Sequence, residues 1–236
     1  MKSKYYERMK KIIKYIVTLL TILLLKLKGF NSTVKKSILF LSKLKIEKSN
    51  DLQIIDATIE KSIVQVQGKN NELIISGKIH NSKINVWGNN NQIVISPKVK
   101  LNNSTIVLRG NNCYIEIGVG STFGGIYMVC MGQNNFIKIG KECMFAEGID
   151  LWATDSHPIY DENHNLINPS KPIVIGNHVW IGAKSSILKG VEIKEGAVIG
   201  MSSMVTKNVA AFTLNVGNPL RCVKDNVNWR REFINE

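Results

Sequence analysis

Residues 173–206 read IVIGNHVWIGAKSSILKGVEIKEGAVIGMSSMVT. Within this stretch Ile175, Ile181, Ile187, Ile193, Ile199 and Val205 recur at strict six-residue steps. The residues two places before them, Ile173, Val179, Ser185, Val191, Ala197 and Ser203, are all apolar or small. A period of six fits neither a helix at 3.6 residues per turn nor an alternating strand, but it fits a solenoid whose coils have three short flat faces with a turn at each corner. Each aliphatic side chain then points inward and stacks on its equivalent in the next coil, with Gly176, Gly182 and Gly200 beside it where the corner is tight. The same register runs back through Ile139, Phe145 and Leu151.

A looser repeat lies upstream: GKNNELIIS from Gly68, GNNNQIVIS from Gly88, GNNCYIEIG from Gly110 and GQNNFIKIG from Gly132. The glycines stand 20, 22 and 22 residues apart, the length of three six-residue segments plus corner residues. Asn-Asn pairs suit a turn, because asparagine tolerates the left-handed backbone region and stacked amides can pair. The asparagines are therefore expected to form structural ladders, in a solenoid running from near residue 50 to near residue 207. Its two ends need caps, and the N-terminal segment and residues 210–236 are the available material.

The formal charge of +13 suggests a nucleic-acid protein until it is located. Residues 1–48 carry 13 Lys/Arg against Glu7 and Glu47, leaving only +2 for the remainder. No basic patch interleaved with aromatics is visible there, so nucleic acid is not an expected partner. Cys113, Cys130, Cys143 and Cys222 form no CxxC pair and have no metal-ligand spacing. They read as reduced, packed thiols of a cytoplasmic protein, with no metal expected.

From Ile12 to Leu27 the chain is nearly all apolar, but its charge-free stretch Tyr15–Leu25 is eleven residues, short of the roughly 20 that span a bilayer. Lys11, Lys14, Thr18 and Thr21 recur at three- and four-residue steps, so they form a narrow stripe on an otherwise apolar helix. A second helix is predicted from the cap candidates Ser32 and Thr33, with Val34, Ile38 and Leu41 on one side. Two readings stay open, a peripheral anchor on the anionic inner face of the cell membrane or a helical hairpin packed on the core or on sister subunits, while a secretory signal is disfavoured because no small-residue cleavage site follows the apolar run.

The coils break once, between Leu151 and Ile173, and the excursion holds TDSHPIYDENH at 154–164. A long insertion in a regular solenoid is where function is expected. His157 in that loop reads equally as a candidate general base or as a surface histidine, whereas His164 and His178 read as structural or solvent-facing.

Taken together, TDSHPI, KPIVIGNHVWIGAKSSILKGVEI, GAVIGMSSMVTK and GNPLRCVK make residues 132–224 resemble the hexapeptide-repeat O-acetyltransferases, above all their surface-polysaccharide branch. The resemblance implies a mainly β fold: a left-handed parallel β-helix with N-terminal amphipathic helices and a short C-terminal cap. Charge, repeats and resemblance together divide the chain into a basic helical segment (1–48), irregular Asn-rich coils (49–131), catalytic coils (132–209, with the loop 152–172) and a cap with part of the CoA site (210–236). The resemblance also implies a homotrimer with three intersubunit sites, acetyl-CoA as co-substrate, and a sugar or polysaccharide acceptor. His157 matches the general base, and Asp155 is the favoured carboxylate to hold its tautomer, ahead of Asp161 and Glu147. Trp180, Ala183, Met201, Thr206, Lys207, Arg221 and Lys224 match positions along the CoA channel. At Ala183 only the backbone N–H could serve the oxyanion. Asn134 and Trp152 are the candidate acceptor contacts. Asn134 replaces an aspartate of galactoside enzymes, and Ile126 stands where those enzymes place an asparagine. An amino group of an amino sugar as acceptor, a zinc-dependent carbonic anhydrase on the same solenoid, and a non-catalytic membrane scaffold are the rival readings.

Overall fold

The computed structural model describes residues 2–27 and 31–234 as one helix, α1 (Lys2–Leu27), followed by a parallel β-solenoid of about eight turns. Eight strands, from Asn31–Lys35 to Glu192–Ile193, form one face as a single parallel sheet in which each strand pairs with its counterpart one coil away. The other two faces join into one larger sheet, because Thr122–Gln133 and Met144–Trp152 run on through the corner between them. Along strands such as Asp51–Ile55, Glu72–Ile75 and Phe136–Ile139 alternate residues are buried. The columns they build, such as Ile75, Ile95, Ile117, Ile139, Ile175 and Ile193, fill the interior. Phe123 and Phe145 stack within it, ring centroids 4.6 Å apart.

The corners explain the Gly-Asn-Asn repeat. Gly68, Gly88, Gly110 and Gly132 all have positive φ, and a Cβ on Gly110 would lie 1.9 Å from the carbonyl oxygen of Gly132. Asn70, Asn90, Asn112 and Asn134 occupy the left-handed region at φ 53–56°. The next asparagine turns inward: Asn71 Nδ2 donates to Asn50 Oδ1 at 2.8 Å and to the Gly88 carbonyl at 2.8 Å. Asn91 Oδ1 accepts the Cys113 N–H at 3.0 Å. Buried amides thus satisfy backbone groups that the corner leaves unpaired.

The second N-terminal helix is not formed. Asn31–Lys35, Ile38–Phe40 and Lys43–Ile46 are the three faces of a first coil, so the stack begins inside the stretch expected to be helical. Leu39 and Ile46 enter the core, while Leu41 turns outward at φ 51°. A short apolar run satisfies either periodicity, and the exposed edge of the second coil decides, pairing Asn31 with Asp51 through to Lys35 with Ile55. α1 covers the open end of that first coil. Thr18, the centre of its polar stripe, is buried and accepts the Leu39 N–H at 2.9 Å, and Lys14 pairs with Glu60. At the other end Arg221–Lys224 folds antiparallel onto Leu214–Val216 and closes the last edge.

Candidate active site

The excursion grows from the corner occupied lower down by Gly-Asn-Asn. Ala153 N–H still donates to the Val129 carbonyl as if the next corner were coming, and Lys171 N–H returns to the Ala153 carbonyl. Ser170 stands directly over Gly132. Between these points the chain leaves the stack as an exposed excursion, joined across Tyr160 and Leu166 by an antiparallel bridge. The imidazole of His157 is carried, exposed, on the outgoing limb.

Three side chains fix that limb. Asn168, on the returning limb, donates from Nδ2 to the His157 carbonyl and to Asp155 Oδ2, both at 2.9 Å, and accepts the Ile159 N–H at Oδ1 at 2.6 Å. Lys189, projecting from the coil above, ion-pairs with Asp155 Oδ2 at 2.5 Å and donates to the Asn168 carbonyl at 2.9 Å. The Lys189 hydrogen bond, reinforced by the Asn168 amide, holds the Asp155 carboxyl below the usual carboxylate range. Asp161 is held low as well, chiefly by the Asn165 N–H it accepts. Asp155 therefore meets His157 through the backbone, its carbonyl accepting the His157 N–H at 2.7 Å, while its carboxylate is engaged by Lys189 and Asn168. The expected direct carboxylate–imidazole contact is replaced by a clamp that sets the loop. Neither Asn168 nor Lys189 stood out in the sequence, since they lie 13 and 34 residues from Asp155 and only the return of the loop and the stacking of the next coil bring them together.

The residues matched to the CoA channel fall into two groups. Ala183 and Met201 stand at one corner in successive coils, linked where the Ala183 carbonyl accepts the Ser202 N–H at 2.8 Å, and Trp180 lies on the strand leading to that corner. Thr206, Lys207 and Arg221 line one cavity of about 510 Å³ near the last coils, beside Ala210 and Leu220. Two cations, a hydroxyl and an apolar wall in one cleft, with Asp225 also lining it, could take a phosphate-bearing chain at the Lys207 and Arg221 side. Lys224 is exposed on the closing strand and is not among the residues lining that cavity. Trp180 has a neighbour that the sequence did not suggest: Trp229 lies 5.9 Å from it and stacks flat on His178 at 4.2 Å. Trp229 Nε1 donates to the His178 carbonyl at 2.8 Å, so His178 serves as a seat for the C-terminal segment.

Of the two residues expected to contact the acceptor, Trp152 packs on Tyr127 at 5.6 Å at the foot of the loop. Asn134 sits one coil below, exposed, in the left-handed corner position of the asparagine repeat. Ile126 is buried. Burial raises the Cys143 thiol to about 11, and Cys130 is raised as well, by its hydrogen bond with Cys113 and by burial. Among the described residues no group of three His, Cys, Asp or Glu side chains is placed to hold a metal ion.

Coils of this kind, with one loop thrown from a corner, define a class: the left-handed β-helix transferases. Residues 172–207 match the bacterial transferase hexapeptide (six repeats) family. The polysialic-acid-specific acetyltransferase NeuO aligns over 87% of this chain and 90% of its own, at 30% identity and TM-score 0.66. The polysialic acid O-acetyltransferase OatWY aligns over 86% and 92%, at 30% identity and TM-score 0.60. The chain belongs to the hexapeptide-repeat transferase family. By sequence it is 36% identical over 91 residues to a polysialic acid O-acetyltransferase of Escherichia coli O1:K1 / APEC, and 53% identical over 51 residues to one of Neisseria meningitidis. Those stretches cover 38% and 21% of this chain, and 30% and 24% of the relatives' own lengths.

Proposed function

We propose that this protein is a homotrimeric O-acetyltransferase that moves the acetyl group of acetyl-CoA to a hydroxyl of a surface polysaccharide, with polysialic acid as the first acceptor to test. The observation that carries the proposal is the loop at 153–171, which presents His157 on a limb clamped by Asn168 and Lys189. In this reading His157 accepts the proton of the sugar hydroxyl as its oxygen bonds to the thioester carbon. The C–S bond then breaks, and His157 returns the proton to the departing sulfur. The Ala183 N–H faces the oxyanion, Trp180 and Met201 flank the pantetheine arm, and Lys207 and Arg221 neutralise phosphate. The loop of one protomer reaches the Ala183 corner of its neighbour, so the trimer aligns both substrates and converts an encounter into an oriented reaction. Trp152 and Asn134 lie on the acceptor side. No described helix is long and apolar enough to cross a membrane, and the basic N-terminal segment suits peripheral contact with the inner face of the cell membrane.

Incubation with acetyl-CoA and polysialic acid tests the proposal. Ester-linked acetyl on the polymer, released by mild alkali, is expected. Alkali-stable acetyl would mean an amino-group acceptor, and no transfer to any surface polysaccharide would leave the scaffold reading.

A further inference from the structure

α1 is docked with the reverse of the usual amphipathic arrangement. Lys14 and Thr18, on its polar stripe, face the solenoid, where Thr18 is buried against Leu39 of the first coil and Lys14, over the Phe40 ring, pairs with Glu60 of the second. Ile12, Ile13, Ile16, Leu19, Leu20 and Leu23 are left 44–56% exposed. A run of this size on one helix far exceeds the scattered apolar residues of an ordinary surface. Beside it, Ile12, Tyr15 and Ile38 line an apolar groove of about 420 Å³ between helix and coil.

Charge surrounds this patch at the same end of the molecule. The first coil exposes Lys35, Lys36, Lys43, Lys45 and Lys48 against Glu47, whereas the chain beyond residue 48 is nearly neutral. Joining two such ends would set lysine against lysine around the apolar contact. An anionic bilayer complements both features, taking the side chains of α1 at the acyl boundary and the lysine collar at headgroup level.

Resting on the peripheral membrane reading above, we infer that α1 and the first-coil lysines form a single docking end that seats the solenoid end-on against anionic lipid. The corner that throws out the His157 loop lies five coil steps above the first coil, through the strands starting at Lys43, Ile63, Lys83, Thr105, Thr122 and Met144. At roughly 4.8 Å per step this holds the loop about 24 Å from the lipid end. The acceptor reached there is a sugar several residues out along a membrane-attached polymer, not the unit next to its lipid.

Flotation of the full-length protein with phosphatidylcholine vesicles, with and without phosphatidylglycerol, tests the docking end. Binding is expected only with the anionic lipid, and it should weaken at least about tenfold in Leu20→Ser/Leu23→Ser and in Lys35→Glu/Lys43→Glu. Turnover on a soluble oligosaccharide, assayed in parallel, should not change in either variant, which separates a failure of docking from a failure of the acetyltransfer reading. Brominated lipid should quench Leu20→Trp fluorescence and leave Trp87, Trp152, Trp180 and Trp229 bright. Binding that survives both variants, quenching of the native tryptophans, or a smaller assembly in Leu20→Ser/Leu23→Ser would overturn the inference, the last by showing that this face pairs copies of the chain.

Discussion

Asn168→Ala removes three hydrogen bonds at once, to the His157 carbonyl, to Asp155 and from the Ile159 N–H, in a loop that adds little to the core. Turnover should therefore fall about 10- to 100-fold while the melting temperature barely moves, because the loss is one of positioning. The Lys189 interaction makes a pH prediction. Asp155 is held below its ordinary pKa, so the clamp it supports is intact above the usual carboxylate range and weakens as pH falls through the lowered value. Lys189→Met should return Asp155 toward its ordinary value and shift the acid-side loss of loop order to higher pH, as followed by carboxyl NMR titration. A Lys189→Met profile that coincides with the wild type would deny the clamp this role. Of these residues His157 and Asp155 could be singled out in the sequence, because they stand where a strict period breaks. Asn168 and Lys189 are ordinary polar residues until the loop's return and the stacking of the next coil set them beside Asp155.

The corner elements satisfy backbone groups that the short strands leave unpaired. Gly110→Ala would place a methyl 1.9 Å from the Gly132 carbonyl oxygen at φ +147°, and should cost at least about 2 kcal/mol by thermal denaturation. Asn91→Ala leaves the Cys113 N–H and the Gly110 carbonyl without their side-chain partner in a buried corner, and should cost about 1–3 kcal/mol. The asparagine ladder was readable because its spacing equals one coil. The first coil was not: Val34, Ile38 and Leu41 satisfy a helical spacing as well as a strand–corner–strand, and only pairing with Asp51–Ile55 and Thr58–Glu60 separates the two. The Trp229–His178 stack joins residues 51 apart in sequence, and no local pattern announces it.

For the molecule as a whole, the six-residue period implies a stack with an inner column of aliphatics, and the structure has it. Handedness and family membership required comparison with known proteins, since periodicity is blind to the sense of winding. Period and family together define a rigid post with one loop clamped at its foot, and under the proposed function this loop offers the His157 imidazole to a thioester held at a neighbouring protomer's corner. The most direct test of that claim is acetyl-CoA turnover by His157→Ala with a polysaccharide acceptor, alongside light scattering and thermal melting. A loss of at least about 100-fold is expected, with trimer mass and melting temperature unchanged. Turnover within about threefold of wild type, in an intact trimer, would contradict that claim.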